Sequence, residues 1–381
     1  MLKQQKIFFD FLRFCIGSAK EIPDFLKEVD WKELYRIAQK QALLGVLFHG
    51  IQRLPKELAP EQKLLMQWMV MAEMVRKQNI KLYQDSVKVC QNFEKEGFAN
   101  CILKGQGNAL LYPDPYMRTP GDIDIYLSGG RKKIMKYVDQ VCPNQVMRYH
   151  HVDFPVMKTA IEVHFTPSYM FYPIHNRRMQ KWFEKVMGEQ CNHRVSLPDG
   201  YGEIHVPQVS FNVIYILSHL YRHIFTEGIG LRQLLDYYFV LVKWHTDLTN
   251  LTDSNKSLPQ MTQINTDLDT LRHELKYLGL WKFAQAVMFV MKEVFGLSED
   301  RMIAPMDERE GSFLLDEIMR GGNFGQYDDR MGSKVGESKI HRYFRMNLRN
   351  LRFVKHYPTE ALSEPLFRTW FAVWKKIHGI K

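Results

Sequence analysis

The sequence predicts an α+β protein, with a small sheet and flanking helices set between helical N- and C-terminal regions. Three observations predict it. Residues 1–96 and 207–319 carry apolar positions at helical spacing, residues 97–206 mix short strand-like runs with helical stretches, and residues 320–381 are a glycine-rich linker followed by a basic helical tail. Strands and helices mixed within one stretch fit an α/β or α+β domain.

In chain order, Asp30-Trp31-Lys32-Glu33 has capping-box spacing, and Leu34, Ile37 and Ala38 continue a helix to about His49. A second helix starts near Pro60, carries Leu64, Met71, Val75, Leu82 and Val89, and stops at Gly97. Its methionines Met66, Met69, Met71 and Met74 read as core filling. Residues 99–103 form a short apolar run, and residues 122–127 alternate with period two; both read as strands. Residues 130–142 read as a helix, and residues 152–157 and 159–165 as two strands around Lys158. His150 and His151, with Asp153, fall on an alternating strand and read as surface. Residues 211–225, 231–244 and 271–295 are helix candidates, 246–267 a polar surface loop, and 320–340 a glycine-rich loop. There are no internal repeats.

Composition excludes several classes. Of 381 residues, 45% are hydrophobic and 25% charged, which sets disordered and fibrous proteins aside. No run approaches the roughly 18 apolar residues of a membrane span. Asp10 and Arg13 interrupt the N-terminal apolar stretch where a signal peptide needs continuity, so a cytoplasmic protein is expected. Five widely spaced cysteines without a CxxC suggest neither a disulfide framework nor a zinc knuckle. The net charge is +10, and residues 331–381 carry +8 of it, so the body is nearly neutral. In that tail Phe344, Leu348 and Leu351 share one helical face and Arg345, Arg349 and Arg352 another. The expectation is a helix packed on its own domain with a solvated basic side; a membrane surface or an acidic partner is the alternative.

The chemistry concentrates in two adjacent stretches and a third further on. Asp122 and Asp124 stand two apart on a predicted strand, so both carboxylates leave one face while Ile123 and Ile125 enter the core. Glu162 is another lone carboxylate in an apolar strand, between Ile161 and Val163. If the two strands are neighbours, three carboxylates converge, and such a set repels itself unless a cation lies between them. All-oxygen sites of this kind suit hard divalent ions, and two such ions can clamp an in-line displacement at phosphorus. A DxD alone also fits a solvated strand face or a calcium site. Upstream, Leu103-Lys104-Gly105-Gln106-Gly107-Asn108 reads as strand, glycine turn and helix, which aims backbone N–H groups at an anion. Lys104 or Arg118 supplies a cation for a triphosphate.

The stretch LKGQGNALLYPDPYMRTPGDIDIYL resembles an uncharacterised bacterial nucleotidyltransferase family of the DNA polymerase β-like superfamily. The strand IEVHF and the segment HLYRHIFTEGIGLRQLLDYYFVL carry the likeness over roughly residues 30–245. The resemblance implies a polymerase β-like core and transfer of a nucleoside monophosphate from a nucleoside triphosphate to a hydroxyl-bearing acceptor, with release of pyrophosphate. It implies that Asp122, Asp124 and Glu162 are catalytic and hold Mg²⁺ or Mn²⁺. The turn Gly105-Gln106-Gly107, with Lys104 and Arg118, would bind the nucleotide, and His164 would contact the site from beside Glu162. Two other readings stand beside this one: a DxD glycosyltransferase that uses a metal to hold a sugar diphosphate, and a non-catalytic nucleotide- or RNA-binding protein on the same fold. His219 and His223, four apart on a helix, read as packing or substrate contact rather than metal ligands, and Arg232 with Asp236 as an intrahelical ion pair.

Overall fold

The computed structural model describes residues 3–23, 26, 27, 29–254, 260–330 and 338–380. The helices are α1 (Lys3–Ile16), α2 (Trp31–Lys40), α3 (Leu44–Ile51), α4 (Gln62–Lys95), α5 (Gln106–Ala109), α6 (Gly130–Val141), α7 (Pro173–Gln190), α8 (Val209–Thr226), α9 (Leu231–Ser254), α10 (Gln260–Tyr277), α11 (Trp281–Phe295), α12 (Glu308–Gly321), α13 (Lys339–Val354) and α14 (Pro358–Ile377). The strands are β1 (Asn100–Ile102), β2 (Ile123–Leu127), β3 (His151–Asp153), β4 (Ile161–His164), β5 (Arg194–Ser196) and β6 (Glu203–His205). The class is α+β: a mixed sheet of order β1-β2-β4-β3, a β5-β6 hairpin, and otherwise helix. Among the described residues no helix is long and apolar enough to cross a membrane.

The chain forms two compact units, each discontinuous in sequence. Unit 1 takes Met1–Asn79, Leu111–Thr119 and Glu227–Gly332; unit 2 takes Ile80–Leu110, Pro120–Thr226 and Ser333–Lys381. The sheet belongs wholly to unit 2.

In unit 1, Asp30 caps α2 by accepting from the backbone N–H of Lys32 and Glu33 at 3.0 and 3.1 Å. The expected single helix to His49 is broken after Lys40. Ala42 takes a φ of 56°, and the buried Gln41 side chain accepts from Leu231 N and donates to Ile318 O, which fixes the break by tertiary bonding. The methionine stripe of α4 is a second correction. Met66, Met69 and Met74 are exposed, because the helix buries Leu64, Trp68, Ala72 and Val75 on its other side. A third concerns residues 246–267, where α9 and α10 replace the expected loop up to 254 and from 260; residues 255–259 lie outside the described ones. Thr246 and Thr249 donate to the carbonyls of Val242 and Thr246, so these hydroxyls join the helix instead of competing with it. The predicted helix 271–295 is split at Gly279, whose φ of 76° falls in the left-handed region that a residue without a Cβ enters freely. In the predicted linker 320–340, α12 runs to Gly321 and α13 starts at Lys339, while residues 331–337 lie outside the described ones.

In unit 2, β2 pairs antiparallel with β1 and parallel with β4, and β4 pairs antiparallel with β3. Ile123, Ile125, Leu127, Val152 and Val163 are fully buried on one face. The tail orients opposite to expectation. Phe344, Leu348 and Leu351 are exposed, while Arg349 is buried and donates to the carbonyls of Thr226 and Ile224. The last carbonyls of α8 lack helical partners, and Arg349 supplies donors for them.

Candidate functional site

The parallel register of β2 and β4 sets Asp124 opposite Glu162, and the antiparallel register of β3 and β4 sets His151 opposite His164 and Asp153 opposite Glu162. Strand alternation therefore gathers five polar side chains on one face of the sheet. His164 Nε2 lies 3.1 Å from Asp124 Oδ1 and 3.5 Å from Glu162 Oε2, and His151 Nδ1 lies 3.3 Å from Glu162 Oε2. Lys104, just after β1, places Nζ 3.0 Å from Asp124 Oδ1 and 3.2 Å from His219 Nε2. From α8, Arg222 donates to His223 Nε2 at 2.9 Å.

The electrostatics follow from burial and crowding. Burial opposes the charge on Asp124, but Lys104 and His164 outweigh it and hold the carboxyl well below its usual range. Glu162 is also lowered: burial works against it, and the His164 hydrogen bond prevails. Burial opposes protonation of His164 too, yet its bonds to Asp124 and Glu162 raise it. Asp122 goes the other way. The charge of Asp124, then burial, push it up to about 6. Burial keeps His151 neutral, down to about 3, and lowers His150 and His219 well below the usual imidazole range.

This asymmetry predicts a pH signature. The folded state binds the Asp122 proton more tightly than the unfolded chain, so stability rises as pH falls from above 6 toward 4. In metal-free protein at pH near 7.5, Asp122→Asn is expected to stabilise by roughly 1–3 kcal/mol, with the gain vanishing near pH 4. Thermal melts of the two proteins at both pH values check this.

The donors suit a divalent cation. Ligand atoms of Asp124, Glu162 and His164 lie within 4.8 Å of one another, as do those of His150, His151 and His164, and of His151, Asp153 and Glu162. Nδ1 of His164 and Nε2 of His151 are buried without a hydrogen-bond partner among the described residues, which leaves donor atoms to spare. Asp122 is coupled to this cluster by charge but is not one of its close donors.

The other sequence candidates are placed as follows. Gly105 has a φ of 71° and directly precedes α5, a four-residue helix that starts at Gln106 and ends at Ala109, earlier than the helix expected over residues 108–112. A Cβ at Gly107 would come within 2.8 Å of Val206 Cγ1, so this glycine makes room for packing. Gln106 is buried, with Oε1 unpartnered among the described residues. Arg118 lies in unit 1, where Nε and Nη2 both donate to Asp236 at 2.7 Å. Lys104 is thus the cation that the structure sets on the carboxylates. His150 and His151, expected at the surface, are 4% and 5% exposed, a correction that adds His151 to the site. The signal was present: His151 and Asp153 repeat the two-residue spacing of Asp122 and Asp124.

A family model described as an uncharacterised nucleotidyltransferase matches residues 27–296, well over half of the chain. No curated protein and no solved structure matches.

Proposed function

The chain belongs to this family of uncharacterised nucleotidyltransferases, and from that premise we propose that it transfers a nucleoside monophosphate from a nucleoside triphosphate to a hydroxyl acceptor by the polymerase β-like route. The observation that carries the reading is the parallel pairing that sets Asp124 against Glu162 beside Asp122. Asp124 and Glu162 would hold a divalent metal, with His164 as a nitrogen donor and Asp122 adding its charge beside them. An imidazole in the donor set favours Mn²⁺ over Mg²⁺. When bound, the metal supplies positive charge to the triphosphate and to the attacking and leaving oxygens.

The chain's own residues do the rest. The turn at Gly105-Gln106-Gly107 offers backbone N–H groups to the β- and γ-phosphates. Lys104, held between Asp124 and His219, is within reach to neutralise them. The acceptor oxygen forms a bond to the α-phosphorus as the bond to the bridging oxygen breaks, and pyrophosphate leaves with that electron pair. Glu162 is more accessible than Asp124 and His164, its side chain 27% exposed against 2% for each of them, and it takes the hydroxyl proton. His164 and His151 fix its carboxylate. Positioning and preorganised charge account for most of the rate in chemistry of this kind.

The test is a pyrophosphate-release screen with each nucleoside triphosphate and with Mg²⁺ or Mn²⁺ against a panel of hydroxyl-bearing acceptors. Release is expected to be stronger with Mn²⁺ and to disappear in Asp122→Ala/Asp124→Ala. Equal signals from wild type and double variant would refute the site.

A further inference from the structure

The C-terminal helical hairpin stands apart from this chemistry. Tyr343 Oη lies 3.2 Å from Thr369 Oγ1, Arg368 Nη2 donates to Asn347 Oδ1 at 2.5 Å, and Asn350 Nδ2 donates to Glu364 Oε2 at 3.4 Å. This descending register makes α13 and α14 antiparallel. The hairpin is anchored to unit 2 by polar groups. Besides Arg349, Asn350 donates to Phe225 O at 2.7 Å, and Glu360 accepts from the backbone N–H of Phe171 and Tyr172 at 2.7 and 3.1 Å.

The apolar residues face away from these anchors. On α13 they are Phe344, Leu348 and Leu351, each one residue beyond a position that meets α14. On α14 they are Leu366, Trp370, Val373 and Ile377, spaced by three or four. At about 100° per residue, the α13 stripe is rotated by roughly 100° from that helix's contact with α14, and the α14 stripe by roughly 160° from its contact with α13. In an antiparallel pair those rotations turn the α13 stripe away from the anchors and the α14 stripe to the outer edge of the hairpin, where Trp370 also meets Tyr149 of unit 2 with ring centroids 6.4 Å apart. Leu348, Leu366 and Ile377 are 68%, 72% and 75% exposed, so apolar stripes of both helices lie in the open. A strip of that kind marks an interaction surface.

Charge selects the occupant. Between residues 338 and 380 there are nine Lys or Arg and two acidic residues, Glu360 and Glu364. Both acids are buried on the anchoring side, at 1% and 2% exposure, so α13 and α14 show the exterior no carboxylate. Lys355 and Lys376 are exposed on the hairpin, and Arg345 and Arg352 flank the α13 stripe. A second copy would bring like charges together. A nucleic acid would meet the cations but leave leucine, valine and isoleucine without bases to stack on. The boundary of headgroups and acyl chains in an anionic bilayer satisfies both halves of this surface at once.

We propose that the α13–α14 hairpin docks the protein, apolar stripes down, on the surface of an anionic phospholipid bilayer. It lies in the interface and does not span it.

The experiment is flotation of the full-length protein with vesicles of phosphatidylcholine alone or mixed with phosphatidylglycerol. Flotation is expected only with the mixed vesicles, and Leu348→Glu/Leu366→Glu is expected to lower the bound fraction about tenfold. Both positions are exposed, and unchanged thermal melts establish that the variant folds. Brominated lipid is expected to quench tryptophan fluorescence in wild type and to lose that effect in Trp370→Phe. Flotation with neither vesicle, or equal flotation of wild type and double variant, overturns the proposal. So does a concentration-dependent dimer that Leu366→Glu abolishes, or binding of RNA without binding of vesicles.

Discussion

Glu162→Ala is expected to lower pyrophosphate release by about 10²–10³-fold, on the scale of losing one preorganised charge at a reacting centre. Glu162 lies directly opposite Asp124 in the sheet, and its carboxylate is shared by His151 and His164. Asp153, across the β3–β4 pair, stands one strand further from Asp124 than Glu162 does. A metal-bound sugar diphosphate would need only the Asp122–Asp124 pair, so a DxD glycosyltransferase would tolerate the change. Full activity in Glu162→Ala would favour that rival. Glu162→Gln separates charge from shape: it keeps hydrogen-bonding capacity toward the two histidines but lacks the charge. Activity is expected to stay low in both variants while thermal stability is better preserved in Glu162→Gln. Calorimetric titration with Mn²⁺ gives a second readout, with weaker binding in both.

Much of this site is legible in the sequence, for a simple reason. Side chains alternate along a strand, so a single carboxylate amid apolar residues, or two of them two apart, reveals which face is chemical. Asp122, Asp124 and Glu162 announce themselves in this way. What alternation cannot supply is which strands pair, and that pairing brings Asp124 and Glu162 together. His151 escapes because β3 is only three residues long, and a histidine pair next to an aspartate resembles a wet edge. The helices are legible by period, but their breaks are not, since Gln41 ends α2 through bonds to residues far along the chain. Period also says nothing about which stripe of a helix meets the core, so α13 hides the opposite face from the one expected, and α4 buries Leu64, Val75, Leu82 and Val89 as read but leaves Met66, Met69 and Met74 outside. The two units cannot be read from the sequence at all: the chain passes from one to the other between Asn79 and Ile80, within α4, and returns for Leu111–Thr119.

That short return carries the largest expected effect on stability. Asp236→Ala is expected to cost about 3–5 kcal/mol, because it strands a buried guanidinium. Arg118 is 5% and Asp236 6% exposed, and one carboxylate accepts from Arg118 Nε, Arg118 Nη2 and Tyr112 Oη, each at 2.7 Å. Asn79 donates to the carbonyls of Tyr116 and Arg118, and Thr119 Oγ1 donates to Ala42 O at 2.6 Å, so residues 111–119 are tied down along their length. The exposed pair Arg36–Glu33, with the arginine side chain 69% accessible, shows the contrast. Breaking it is expected to cost no more than about 1 kcal/mol. Urea melts of the two variants measure the difference, and a cost below about 1 kcal/mol for Asp236→Ala would mean that the buried pair is not the anchor. Arg118→Met/Asp236→Leu then asks what the arginine is for. Replacing both members of a buried pair with apolar side chains of similar size is often close to neutral, so stability is expected to recover except for about 1–3 kcal/mol from the Tyr112 hydroxyl left without its acceptor. The segment leads at one end from the Gly105 turn and at the other into the Asp122–Asp124 strand. If Arg118 acts only by anchoring it, the KM for the nucleotide recovers in the double variant as well. If Arg118 also touches phosphate, stability returns and KM does not. The bidentate pairing with Asp236 predicts the first outcome, with Lys104 as the cation that the triphosphate meets.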